Sequence, residues 1–246
     1  MKRIIISVFL LALGTVSLAQ QLEQFSMYME NNFLINPAEA GTTDYVDVKL
    51  GYRSQWLALR GAPESYFLSV HSPILKKRSK FDDVTPLPYH GAGVAIVGDK
   101  VGAYERTTAK LAYSYQKPFS SRFTMSLGVH AGIQQYSFNT SFIKNAENFS
   151  VLEAGNKILP DLSLGIWGHT KNFYFGLASF NLVPADISVG TESTTGQSLK
   201  AHNWLTTGVR IPLDSAEHWN LIPSMVFKYV HTAPLQVDIN TKLRYK

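Results

Sequence analysis

Residues 122–134 read RFTMSLGVHAGIQ, and the alternation in this stretch decides the fold. Phe123, Met125, Leu127, Val129, Ala131 and Ile133 take the odd positions, while Thr124, Ser126, Gly128, His130, Gly132 and Gln134 take the even ones. Successive side chains of an extended chain point to opposite faces, so these residues make a strand with one oily face and one small or polar face. The pattern returns in Val46, Val48, Leu50 and Tyr52. It returns again in Thr107, Ala109, Leu111, Tyr113 and Tyr115, which face away from Arg106, Thr108, Lys110, Ser114 and Gln116. Near the end, Trp219, Leu221, Pro223, Met225, Phe227 and Tyr229 form one set. Leu235, Val237, Ile239, Leu243 and Tyr245 form another, opposed by Gln236, Asp238, Asn240, Lys242, Arg244 and Lys246.

About ten such segments begin near residues 46, 66, 90, 105, 122, 161, 172, 202, 218 and 235. Several run to lengths of about 10 residues, which suits membrane-barrel strands better than the ~5–6 residues usual in soluble sheets. Composition agrees. Charged residues make up 17% of the 246-residue chain and hydrophobic residues 45%, against about 25% charged in ordinary soluble domains. The expectation is an all-β, antiparallel transmembrane barrel whose apolar faces meet lipid and whose polar faces line a lumen. After residue 19 no stretch approaches the ~18 consecutive apolar residues of a spanning helix. Aromatics at predicted strand ends, Tyr52, Trp56, Tyr115, Phe119, Trp204, Trp219 and Tyr229, would form interfacial girdles.

Residues 1–19 have the layout of a cleavable signal peptide: Lys2 and Arg3, an apolar run over 4–13, and Ser17-Leu18-Ala19 before the expected cut. The predicted organisation is therefore a signal peptide at 1–19, an N-terminal periplasmic or plug segment at 20–45, and a barrel over 46–246. If the mature chain starts in the periplasm, the connections at 117–121, 169–171 and 212–217 are short periplasmic turns. Those at 139–159 and 181–199 are long extracellular loops. The connection over 73–89 is a long periplasmic one carrying Lys76, Lys77, Arg78 and Lys80.

The formal charge of +5 is spread along alternating strand positions, which argues against a nucleic-acid binder. There is no cysteine, so disulfide and thiolate chemistry are excluded. No metalloprotease, nucleophile-elbow or phosphate-loop spacing occurs, and the seven histidines are widely separated. Gly91-Ala92-Gly93 opens like a dinucleotide fingerprint, but Ile96 stands where the third glycine belongs. No enzyme activity and no cofactor are expected.

The chain carries a run of specific words: Gln24-Phe25-Ser26, Tyr28-Met29, Ile35-Asn36-Pro37-Ala38-Glu39-Ala40-Gly41, Tyr52-Arg53-Ser54-Gln55-Trp56, Gly61-Ala62-Pro63 and Leu68-Ser69-Val70-His71-Ser72-Pro73. Gly91-Ala92-Gly93-Val94, Asp99-Lys100-Val101-Gly102, Tyr113-Ser114-Tyr115, Pro160-Asp161 and Phe173-Tyr174-Phe175-Gly176-Leu177 follow in order. In these it resembles the PorP/SprF family of outer-membrane proteins associated with type IX secretion and gliding motility.

That resemblance implies an outer-membrane component that anchors partners and helps deliver secreted surface proteins. Partners in such systems are periplasmic ring and lipoprotein components, a peptidoglycan-binding linker protein and an adhesin-type client. Relatives run longer, whereas here alternation continues to Tyr245 and Lys246, so a C-terminally incomplete barrel is expected. The Asn36–Gly41 words suggest a fixed turn, Pro37 setting φ and Gly41 permitting a left-handed backbone. That turn would plug the lumen or meet a partner. The alternative function is a passive or selective channel, with Arg106, Lys110, Arg122, His130, Lys242 and Arg244 lining an anion-favouring pore.

Overall fold

A computed structural model describes residues 30–74, 87–138, 156–185, 199–231 and 233–245. The expected signal peptide and the basic residues Lys76, Lys77, Arg78 and Lys80 lie outside the described residues. The strands are β1 (Asp47–Ser54), β2 (Glu64–Ile74), β3 (Tyr89–Val101), β4 (Tyr104–Pro118), β5 (Thr124–Phe138), β6 (Asn156–His169), β7 (Phe173–Phe180), β8 (His202–Val209), β9 (Ile211–Pro212), β10 (Trp219–Val230) and β11 (Ala233–Tyr245). They form one antiparallel sheet in the order β1-β2-β3-β4-β5-β6-β7-β8-β10-β11, with β9 a short addition beside β10. A single helical turn, α1 (Asn32–Ile35), and a 3-10 turn (Pro37–Glu39) precede the strands. Among the described residues no helix is long and apolar enough to cross a membrane.

The sheet is inside-out relative to a water-soluble protein. On β5, Ser126, His130 and Gln134 are buried, whereas Leu127 is 58% exposed and Ile133 52%. On β4, Thr108, Ser114 and Gln116 are buried while Leu111, Tyr113 and Tyr115 are exposed. Water would oppose such an arrangement; hydrocarbon outside and a polar interior favour it. β4 and β5 have 15 residues each, more than the ~9–11 a tilted strand needs to cross.

Residues 30–41 show that the sheet curls. They touch Ser69 on β2, Gly91 on β3, Gln116 on β4, Ser126 on β5, the carbonyls of Ile166 on β6 and Leu177 on β7, and Lys242 on β11. Ile35 also packs with Trp204 of β8 and Val226 of β10. Laid flat, those nine strands would span roughly 40 Å at ~4.8 Å per strand. One compact segment reaches all of them only if the sheet wraps around it. The sheet is nevertheless not closed: among the described residues β1 and β11 each have a strand on one side only.

Cross-strand pairs of glycine with an aromatic stiffen the wall. The rings of Phe67, Tyr66, Phe175, Trp167 and Tyr174 lie over Gly51, Gly98, Gly168, Gly176 and Gly208 respectively, each glycine being the ring's register partner. A glycine leaves one face of the strand bare, and the neighbouring ring covers it.

Three expectations need correction. β6 starts at Asn156, five residues before the expected 161, because Ser137 and Tyr136 pair with Asn156 and Lys157 and prolong the ladder. Trp204 belongs to no outer girdle; it faces inward, buried edge-on against Phe180 with their ring centroids 5.2 Å apart. Arg122 does not line the lumen, since it sits exposed in the turn between β4 and β5.

Candidate functional site: the docked N-terminal motif

The site is built from Asn31–Gly41 and the floor beneath it. Asn36 caps the 3-10 turn, its Oδ1 accepting from the Ala38 N–H at 2.9 Å, and Pro37 occupies the first turn position where no N–H is needed. The Asn36 Nδ2 donates to the carbonyls of Ile166 at 2.9 Å and Leu177 at 3.1 Å. One amide thus holds the turn and ties it to two strands. Gly41 has φ 73°, and its N–H donates to Nδ1 of His71 at 3.3 Å. Nε2 of His71 then faces the Asp47 carboxylate 3.7 Å away.

The floor is shaped to this backbone. A Cβ on Gly91 would lie 2.1 Å from the Ala40 carbonyl oxygen, one on Gly128 2.4 Å from the Ala38 nitrogen, and one on Gly165 2.1 Å from Asn36 Oδ1. Between the glycines stand matching donors. Ser114 Oγ donates to the Ala40 carbonyl at 2.6 Å, Ser126 Oγ to the Ala38 carbonyl at 2.6 Å, and Gln116 Nε2 to both, at 3.1 Å for Ala38 and 2.8 Å for Ala40. Phe33 fills the remaining space, tilted on His71 and edge-on to His130. The segment therefore pairs with much of the polar inner face, while Gln116 Oε1, both ring nitrogens of His130 and the segment's own Asn31 Oδ1 and Glu39 Oε2 are buried without a hydrogen-bond partner.

Height along the barrel follows from the register. Gly91, Gln116, Ser126 and Gly165 all lie toward the end bearing the short connections after β4 and β6. Glu30 pairs with Lys242, three residues from the end of β11 on that same side. β2 also ends there at Ile74, and the chain returns at Leu87. Toward the opposite end lies a second polar layer. Lys110 pairs with Asp161 at 2.7 Å, Arg106 donates to Gln134 at 2.9 Å, and Gln134 donates to Asn181 at 2.8 Å. Lys228 pairs with Asp238 at 2.7 Å and stands 4.8 Å over the Trp204 ring.

The motif residues separate into two groups. Asn36, Pro37, Ala38, Gly41, His71 and Pro73 converge on the floor. Tyr52, Arg53, Gln55, Trp56, Gly61, Ala62 and Pro63 lie at the β1–β2 hairpin, at the other end of the strands. There Gln55 N–H donates to Pro63 at 3.0 Å and Gly102 N–H to Gly61 at 3.0 Å, with Trp56 and Gly61 at positive φ. Of the receptor residues, Gln116 and Gly128 were visible in sequence only as the small or polar side of strands, and Gly165 was not singled out. Among the described residues no group of three His, Asp or Glu side chains is placed to hold a metal ion.

Comparison with protein families matches the model described as "Type IX secretion system membrane protein PorP/SprF" over residues 17–246. Comparison with curated proteins and with solved structures returned no match.

Proposed function

The chain belongs to the PorP/SprF family of type IX secretion system membrane proteins, and from that premise we propose that it is a non-enzymatic outer-membrane anchor for the secretion and motility machinery. In this reading a signal peptide over 1–19 exports it, and the end bearing the short connections faces the periplasm. The segment preceding Glu30 and the basic loop with Lys76, Lys77, Arg78 and Lys80 form its docking face for periplasmic components. The opposite end serves delivery of a surface client.

The observation that carries this reading is the position of Asn31–Gly41. The motif is largely buried within the curl and hydrogen-bonded to β2, β4, β5, β6 and β7, so it serves as a built-in plug that fixes where the chain leaves the lumen. A channel reading is weakened by the same geometry. Arg106, Lys110 and Lys242, which would have lined a pore, are engaged with Gln134, Asp161 and Glu30, and Arg244 stands exposed on β11.

Affinity capture of the protein from intact membranes tests the docking face. Replacing Lys76, Lys77, Arg78 and Lys80 by Ser is expected to lower recovery of other secretion components while the protein stays in the outer membrane. Unchanged recovery would remove the basic loop from the account. Planar-bilayer recording separates the second reading: steady conductance steps from the wild type would favour a channel.

A further inference from the structure

The curled sheet has two edges, and the docked segment holds both sides of the seam between them. Among the described residues β1 pairs with β2 alone and β11 with β10 alone. On β11 the inward-facing Lys242 pairs with Glu30. On the other side Asn31 Nδ2 donates to Ser69 Oγ of β2 at 2.7 Å, and Ser69 is the register partner of Lys49 on β1. Glu30 and Asn31 are consecutive, with Cα atoms ~3.8 Å apart across a trans peptide, less than the ~4.8 Å between neighbouring strands. Two adjacent residues thus reach to opposite sides of the seam.

The two grips differ in strength. Asn31 and Ser69 are buried, and the same side is held again farther along the segment, where the Gly41 N–H donates to His71 of β2 and His71 faces Asp47 of β1. The Glu30–Lys242 pair is partly open to solvent, the Glu30 side chain 42% exposed and that of Lys242 17%. An ion pair of that kind adds little stability and yields to salt or to a competing charge. The grip on β11 is therefore the one that lets go first.

We propose that Glu30 and Lys242 form a latch across the seam, coupling the position of β11 to the seating of the N-terminal segment. With the segment seated, β11 is held toward β1. With the pair broken, β11 is free to swing away on β10, whose Val226 stays packed with Ile35. The chain before Glu30 leads directly to the latch, so a partner drawing on it loads this pair before the buried motif. That last step rests on the docking reading, whose own failure would show in partner recovery and leave the seam distance untouched.

Distance measurement between two spin labels across the seam of the full chain tests the latch. The chain has no cysteine, so labels can be placed at Leu50 on β1 and Ile239 on β11, both exposed on the outward face. The wild type is expected to give one narrow distance. Lys242→Glu, which sets two carboxylates against each other, is expected to broaden and lengthen it by ~5 Å, one strand spacing. Lys242→Met, milder for folding, should broaden it too, and the charge swap Glu30→Lys/Lys242→Glu should restore it. Lys171→Met, which breaks an ion pair with Glu217 elsewhere on the rim, should leave it unchanged. Gly91→Ala, which unseats the motif without touching the pair, should broaden it as Lys242→Glu does. A wild-type distance in either single Lys242 variant, a swap that fails to restore it, or a Gly91→Ala protein with a loosened motif and an unmoved seam would overturn the proposal.

Discussion

Gly91 lies directly beneath Ala40: a Cβ at Gly91 would come within 2.1 Å of the Ala40 carbonyl oxygen and 2.6 Å of its carbonyl carbon. Backbone cannot swing away as a flexible side chain can, and this carbonyl is also held by Ser114 and Gln116. Gly91→Ala is therefore expected to destabilise the folded barrel by about 1–3 kcal/mol, the usual range for overpacking. It should also speed protease cleavage within 30–45. Gly102→Asn is the control. Gly102 has φ +61° with open space around it, and Asn tolerates that backbone, so its urea midpoint should stay near the wild-type value.

Asn36 is expected to discriminate between loss of a donor and reversal of one. Asn36→Ala leaves the Ile166 and Leu177 carbonyls without their side-chain donor and should cost about 1–3 kcal/mol. Asn36→Asp puts a carboxylate oxygen where Nδ2 faces those two carbonyls and should be worse than Ala. Equilibrium unfolding of both variants ranks them; equal stability would mean that the amide is not what ties the turn to the wall.

The Lys110–Asp161 pair gives a test of the inner polar layer. Asp161 is buried, and removing it alone as Asp161→Leu leaves a lysine ammonium uncompensated in the lumen, a change typically costing about 3–5 kcal/mol. The double variant Lys110→Met/Asp161→Leu should recover most of that loss. Unfolding of the four proteins of this cycle reads the coupling directly.

Plug docking should weaken as pH rises. Burial pushes the Glu39 carboxyl up from 4.5 to about 7; Lys49 opposes the rise, Asp47 adds to it, and a hydrogen bond from Asn32 opposes it. Its Oε2 is buried without a hydrogen-bond partner. Below pH 4.5 the carboxyl is protonated whether docked or free. Between 4.5 and 7 the docked form keeps a proton that the free form releases, so stability falls across this window and is lowest above it. The thermal midpoint of the wild type should decline from pH 5 to pH 8, and that of Glu39→Gln should decline less. Parallel curves would remove Glu39 as the cause.

Much of the architecture was legible because a two-residue period is a property of neighbours in sequence. The strand containing Leu127 and His130 could be oriented from its own residues, and the ends of β8 and β10 fell close to where the turns suggested. What failed depended on partners far away. Asn156 joins β6 only because Ser137 lies opposite it, and Trp204 turns inward because Phe180, Val226 and Ile35 make a pocket for it. The Asn36–Gly41 turn was visible as a rigid element, through its proline and glycine. Its receptor was not, since Gly91, Gly128 and Gly165 are scattered over three strands and become one floor only when the register brings them together.

The central claim is that the odd residues of β5 face lipid and the even ones face a filled polar interior. The chain has no cysteine, so single cysteines can be placed at each position from 124 to 134 except Gly128 and Gly132, where a side chain would strike backbone, and spin-labelled in membranes. The account predicts that labels at 127, 129, 131 and 133 collide readily with lipid-dissolved oxygen. Labels at 124, 126, 130 and 134 should be shielded from it. Collision rates that do not alternate with a period of two, or odd positions that relax with a water-soluble metal chelate instead, would contradict it.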